Sequence, residues 1–140
     1  MRIAREVSEA SEAQLAGLYS DLLAFWASGL LPHFRVEQEC LLARLVRSVG
    51  VGHETIQRTQ DDHLSLESLV VTMRETSDLG TRRDALARFG ASLRDHIRWE
   101  EAVLFEVTQQ TLTGAEMDAL GTDISEQLPE VVPSPAAEST

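Results

Sequence analysis

His33 and Glu37 stand four residues apart, and so do His96 and Glu100. Residues at that spacing share one helix face. Core positions of a helical bundle recur in steps of three and four. On the last long periodic segment those steps run through Leu86, Phe89, Leu93, His96, Glu100, Val103 and Val107. On the middle segment they run through Ile56, Thr59, His63, Leu66, Val70 and Met73. On the first they run through Leu15, Leu18, Leu22, Trp26, Gly29, His33, Glu37, Cys40 and Arg44. Three helices each send a histidine inward, and two add a glutamate one turn later. A lone inward histidine is ordinarily a hydrogen-bonded structural residue. The two glutamates change the balance, because an unpaired buried carboxylate costs several kcal/mol. A divalent or trivalent cation removes that cost. Neutral imidazole nitrogen and carboxylate oxygen suit iron, manganese or zinc. On facing helices of a bundle, such one-turn pairs can assemble a two-metal site.

Other polar residues have plainer readings. Glu67 follows His63 by four residues; it could reach a metal, but a solvated helix-face glutamate is the default. Thr59 either bonds its own backbone or supports His63 from behind. His53 reads as a surface residue at a helix start, and Cys40 as a buried thiol. Tyr19 could donate a hydrogen bond near a ligand, though no spacing requires it. Trp99 and Phe105 pack by default, and could also shield a metal from water. Arg35 and Arg98 should snorkel to solvent. Glu37 and Glu100 could suggest glycosidase-like acid–base work, but the middle of a bundle offers no substrate cleft.

The elements that must position these residues are helical almost throughout, with no β-branched alternation. A short apolar-basic stub, Met1 to Val7, comes first. Ser11-Glu12-Ala13-Gln14 reads as a capping box that opens a long helix to about Val49. Pro32 lies inside it and should kink or break it just before His33. Gly50-Val51-Gly52 ends that helix. A second runs from about Glu54 to Met73. Asp78-Leu79-Gly80 is a turn, with Thr81 and Asp84 as a candidate cap for a third helix from about Arg82 to Gln110. Thr113-Gly114-Ala115-Glu116 opens a short helix to about Gln127. The Pro-, Ser-, Ala- and Glu-rich tail should be disordered. The expected organisation is one helical domain over 1–128 and a tail over 129–140.

Composition sets the outer limits. The chain has 140 residues, enough for one domain. Hydrophobic residues make up 43%, which supports a core and argues against a disordered chain. A formal net charge of −11 argues against nucleic-acid or anionic-membrane partners and remains compatible with bound cations. All 12 basic residues are arginine, a codon bias expected of a GC-rich, bacterial genome. A single cysteine excludes a disulfide framework and makes a reducing cytoplasm the default. No apolar run approaches membrane-spanning length, and no signal-peptide pattern opens the chain.

Taken together, these residues resemble the hemerythrin-like (HHE cation-binding) proteins. Leu31-Pro32-His33-Phe34-Arg35-Val36-Glu37 resembles that family's HFxxE motif. Asp62-His63, followed by Leu64 and Leu66, is similar to its third-helix segment. His96-Ile97-Arg98-Trp99-Glu100-Glu101-Ala102-Val103-Leu104-Phe105 is similar to its final HxRFEExxLF stretch. Phe25-Trp26 and the Gly52-His53 turn fit as well. The likeness spans roughly Met1 to Gln127. It implies an all-α, up-down four-helix bundle around a non-haem centre of two iron ions joined by an oxo or hydroxo bridge. By position, His33, His63 and His96 would be terminal ligands, and Glu37 and Glu100 would bridge the irons. A five-residue ligand step keeps Glu101 as an alternative, although Glu100 continues the seam and Glu101 leaves it.

Two departures stand out. Gln38 replaces a second glutamate of the HFxxEE form, which matters little if that glutamate is no ligand. The first helix of the family carries a further histidine, and this chain has none before His33. Its opening resembles the last turns of that helix, so a truncated first helix is expected. An upstream start, with Met1 internal, is the favoured explanation; a homodimer covering the open side and an altered, under-ligated site are the others. The apolar side of Leu18, Leu22 and Trp26 should then lie partly open, lowering stability or driving self-association. The resemblance implies binding or sensing of dioxygen or another small diatomic ligand. The rivals are a di-iron oxidase, peroxidase or nitric-oxide-handling enzyme, and a metal-free helical interaction module.

Overall fold

Ser11 starts the first helix by a reciprocal pair of bonds. Its hydroxyl accepts from the Gln14 backbone, and the Gln14 side chain accepts from the Ser11 backbone. In this computed structural model, which describes residues 7 and 10–127, helix α1 then runs as one rod, part α-helical and part π-helical, over 12–49. Gly50 ends it at φ 83, a left-handed conformation that a side chain would strain. His53 caps α2 (Glu54–Glu75), its Nδ1 accepting from the Thr55 backbone at 3.1 Å. Helix α3 covers 79–111. Asp78 caps it, accepting from the Thr81 backbone at 2.8 Å and the Thr81 hydroxyl at 2.7 Å. The expected cap at Thr81 and Asp84 is thus replaced by one begun three residues earlier, because Asp78 has the extended backbone an N-cap needs. The capping box at Thr113 and Glu116 forms and opens α4 (Gly114–Gln127).

Short turns make successive helices antiparallel neighbours, so the described residues form an all-α bundle. Helices α1, α2 and α3 are its long rods. Helix α4 folds back on the second half of α1, where Arg44 pairs with Asp123. No helix among the described residues is long and apolar enough to cross a membrane. The expected disordered tail and most of the opening stub lie outside the described residues. Two apolar clusters fill the bundle. One gathers Leu22, Trp26, Phe34, Leu66, Phe89 and Leu93. The other gathers Leu42, Leu45, Ile56, Leu104, Leu112 and Leu120.

Among the described residues, three π-helical segments interrupt the α-helical hydrogen bonding: Trp26–Leu30, Glu37–Leu42 and Glu100–Leu104. Each takes up an extra residue and turns the following face. The first precedes Pro32, which sits in the opening turn of the next α-helical stretch. The helix therefore neither breaks nor ends there; a widened turn accommodates the missing N–H and the ring. The seam moves with it. Leu30 and Phe34 are buried, in place of the expected Gly29 and His33. The third segment does the same in α3, where Leu104 and Thr108 are buried and the expected Val103 is exposed, with Val107 only half-buried.

The apolar face expected to lie open is closed at Leu22 and Trp26, while Leu18 stays half-buried. Leu22 and Trp26 are 4% and 3% exposed, and Val7 is buried in the same cluster. Arg83 secures that corner by donating to the carbonyls of Val7 and Ala10 at 2.6 and 2.8 Å. The large apolar side chains that do meet solvent on this side are Phe25 and Ile97, 45% and 41% exposed.

Candidate metal centre

The steps of four that placed the histidines and glutamates on one face hold within each helix, and the turns bring those faces together. Glu37, His63, His96 and Glu100 each offer a nitrogen or oxygen, all within 4.8 Å of one another. Glu37, His96 and Glu100 are buried, and His63 is half-buried. His33 stands at the rim: its side chain is 49% exposed, while its Nε2–H donates to Glu37 Oε2 at 3.0 Å. The expectation that His33 faces inward is corrected to that extent, and the π segment before it is the cause. Glu37 and Glu100 each begin a π segment, which sets their carboxylates into the bundle. π segments of this kind recur at functional sites.

Hydrogen bonds satisfy only part of this cluster. His63 Nε2–H donates to Glu37 Oε1 at 2.9 Å. With His33, it gives each oxygen of the Glu37 carboxylate one hydrogen bond and leaves each a further lone pair. His96 Nε2 and Glu100 Oε2 are buried without any hydrogen-bond partner, although they lie only 3.3 Å apart. Two orphaned groups facing each other, one imidazole and one carboxylate, cost free energy unless something binds between them. Their chemistry is that of a transition-metal donor set.

The electrostatics follow the same division. Burial pushes Glu37 upward, but hydrogen bonds from His33 and His63 prevail and hold its carboxyl well below the usual carboxylate range. At Glu100, burial is opposed by His96 alone and reinforced by the neighbouring Glu37 carboxylate, and it pushes the carboxyl up to about 7. His96 is raised, since Glu100 and Asp62 together outweigh the effect of burial. His33 is raised chiefly by its bond to Glu37.

Two residues of the site carry no role in the sequence reading. His96 Nδ1–H donates to Asp62 Oδ2 at 2.9 Å, which turns Nε2 toward Glu100. Arg58 Nε in turn donates to Asp62 at 3.2 Å and lies 5.0 Å over the Trp99 ring. The available signal was an acid directly before the seam histidine, with arginine one turn earlier. The other residue is Phe34, whose ring stacks on His63 at 3.8 Å between centroids and meets His96 edge-on at 5.8 Å. It reaches this position only because the seam has slipped.

The remaining candidates take their plainer roles. Glu67 and Glu101 are exposed. Thr59 donates to the Thr55 carbonyl at 2.8 Å. Cys40 is a buried thiol, pushed up by burial. Tyr19 lies away from the cluster, beneath the Arg82 guanidinium at 4.1 Å. Arg35 and Arg98 are exposed, as expected.

Comparison with known proteins agrees with this arrangement. A search of curated proteins and one of solved structures each give no match. The family model described as the hemerythrin HHE cation binding domain matches residues 1–108, across all three long helices, and the chain belongs to that family.

Proposed function

We propose that the chain is a non-haem di-iron protein that binds or senses dioxygen or another small diatomic ligand. Glu37, His63, His96 and Glu100 would hold the metal from within the bundle, and His33 would join them from the rim. One observation carries this reading: His96 Nε2 and Glu100 Oε2, both buried, face each other with no hydrogen-bond partner. Family membership and the four converging donors support a cation there. Iron bound at these donors would supply a redox-active Lewis acid with room for a small ligand.

The chain's own residues do the rest. Asp62 keeps the proton of His96 on Nδ1 and leaves Nε2 free to coordinate. Phe34 fixes the plane of the His63 ring. Trp26 meets Phe34 and Phe89 edge-on at 5.9 and 6.0 Å, so the side of the site toward the first apolar cluster is closed to water. Glu37 and Glu100 would supply the negative charge that a multivalent cation needs, and their mutual repulsion would be relieved on binding it. Anaerobic loading with ferrous iron, followed by metal analysis and an electronic spectrum before and after dioxygen, tests the proposal. Stoichiometric iron and a new visible band on exposure to dioxygen are expected. A chain that takes up no iron, or iron whose spectrum ignores dioxygen and nitric oxide alike, contradicts it.

A further inference from the structure

A cavity of about 240 Å³ lies between α1 and α3. Its walls are Phe25, Leu30, Phe34, Leu93 and Ile97, and its floor is formed by His33, His96 and Glu100. Gly29 belongs to the α1 wall, within the first π segment. A Cβ at Gly29 would stand 3.3 Å from the Phe25 ring, so the absence of a side chain lets that ring lie against the helix. The mouth is framed by the exposed Phe25 and Ile97. His96 and Glu100 line this floor, with their unpartnered Nε2 and Oε2 buried behind it.

We infer that this cavity seats a small, uncharged, apolar organic molecule, a single substituted ring in size, with one end against the His96–Glu100 edge of the site. A dry cavity of about 150 Å³ holds benzene, and this one is larger and equally apolar along its walls. A few polar groups at the end of an apolar recess mark a ligand site. The occupant is uncharged because the walls, Phe25, Leu30, Phe34, Leu93 and Ile97, offer a charge no polar partner, and the −11 net charge of the chain disfavours an anion. The placement of one end beside a metal rests on the di-iron reading above; the seat itself does not, because its walls belong to the helices.

The probe is 4-fluorotoluene, followed by ¹⁹F NMR on the full chain, with and without ferrous iron under anaerobic conditions. Saturable binding is expected in both states. Ile97→Trp covers the mouth from an exposed position and should weaken binding about tenfold or more, with iron content unchanged. Gly29→Leu fills the same space from α1 and should act alike. Binding by a chain that takes no iron would remove the metal reading and leave the seat standing. No saturable binding, equal binding by the parent and Ile97→Trp, or a groove occupied by a second copy in size-exclusion chromatography overturns the inference.

Discussion

A single carboxylate decides how His96 presents itself. Asp62 accepts from Nδ1 and is itself held by Arg58, so the imidazole can turn neither its face nor its tautomer without losing a bond. Partners that orient a ligating histidine in this way are worth about 10- to 100-fold in metal affinity. Asp62→Ala should therefore weaken iron or zinc binding by about that factor, measured by competition with a chelating dye. Its melting temperature without metal should also fall, because the buried His96 Nδ1–H loses its acceptor, a cost of about 1–3 kcal/mol. The importance of Asp62 was hard to read from the sequence because it does not lie on the apolar seam. His63, His96, Glu37 and Glu100 were legible because a buried charge in an apolar row needs a partner. His33 was legible as a neighbour of Glu37, but its half-exposure was not.

At the scale of the helices, capping chemistry was legible and helix type was not. Ser11, Thr113 and Gly50 act where local composition placed them, since each effect depends only on nearby backbone. The π segments depend on what packs against the helix, and a three–four count assumes regular α-helix. The count therefore runs true to Glu100 and then misses by one, placing Val103 where Leu104 is buried. Deleting Ala102, which is exposed inside that segment, should convert α3 to continuous α-helix. It would also restore the three–four spacing from Glu100 through the residues now numbered 104 and 108. Helicity by circular dichroism and thermal stability should hold or rise. Metal affinity should fall, because the backbone that aims Glu100 inward has changed. A deletion variant that binds metal as tightly as the parent would show that the π turn has no part in the site.

For the whole molecule, the site sets how stability varies with pH. Without metal, Glu100 in the native state titrates near 7, above its ordinary 4.5. The native state thus keeps a proton that the unfolded chain releases, and stability falls as pH rises between those values. His33 and His96 are raised as well; their contribution is present below 6.5 and lost as pH rises through the folded values. Glu37 is depressed, so its contribution is present above 4.5 and lost at lower pH. The metal-free protein should be most stable at about pH 5–6 and lose stability toward pH 8. With metal bound, the slope above pH 6 should flatten or reverse, since coordination requires the same groups deprotonated. Melting curves across pH with and without metal check this; parallel profiles would separate the cluster from metal binding. The bundle and its turns were legible at this scale because each helix carries its own apolar stripe. The closed face at Leu22 and Trp26 was not, since it depends on Val7 and Arg83, distant in sequence.

The most direct test of the metal centre is anomalous diffraction at the iron edge from crystals of the anaerobically loaded protein. The account predicts density bounded by Glu37, His63, His96 and Glu100, with His96 Nε2 and Glu100 Oε2 among the coordinating atoms. Iron found only on the outer surface, with those two atoms still unpartnered, would contradict it.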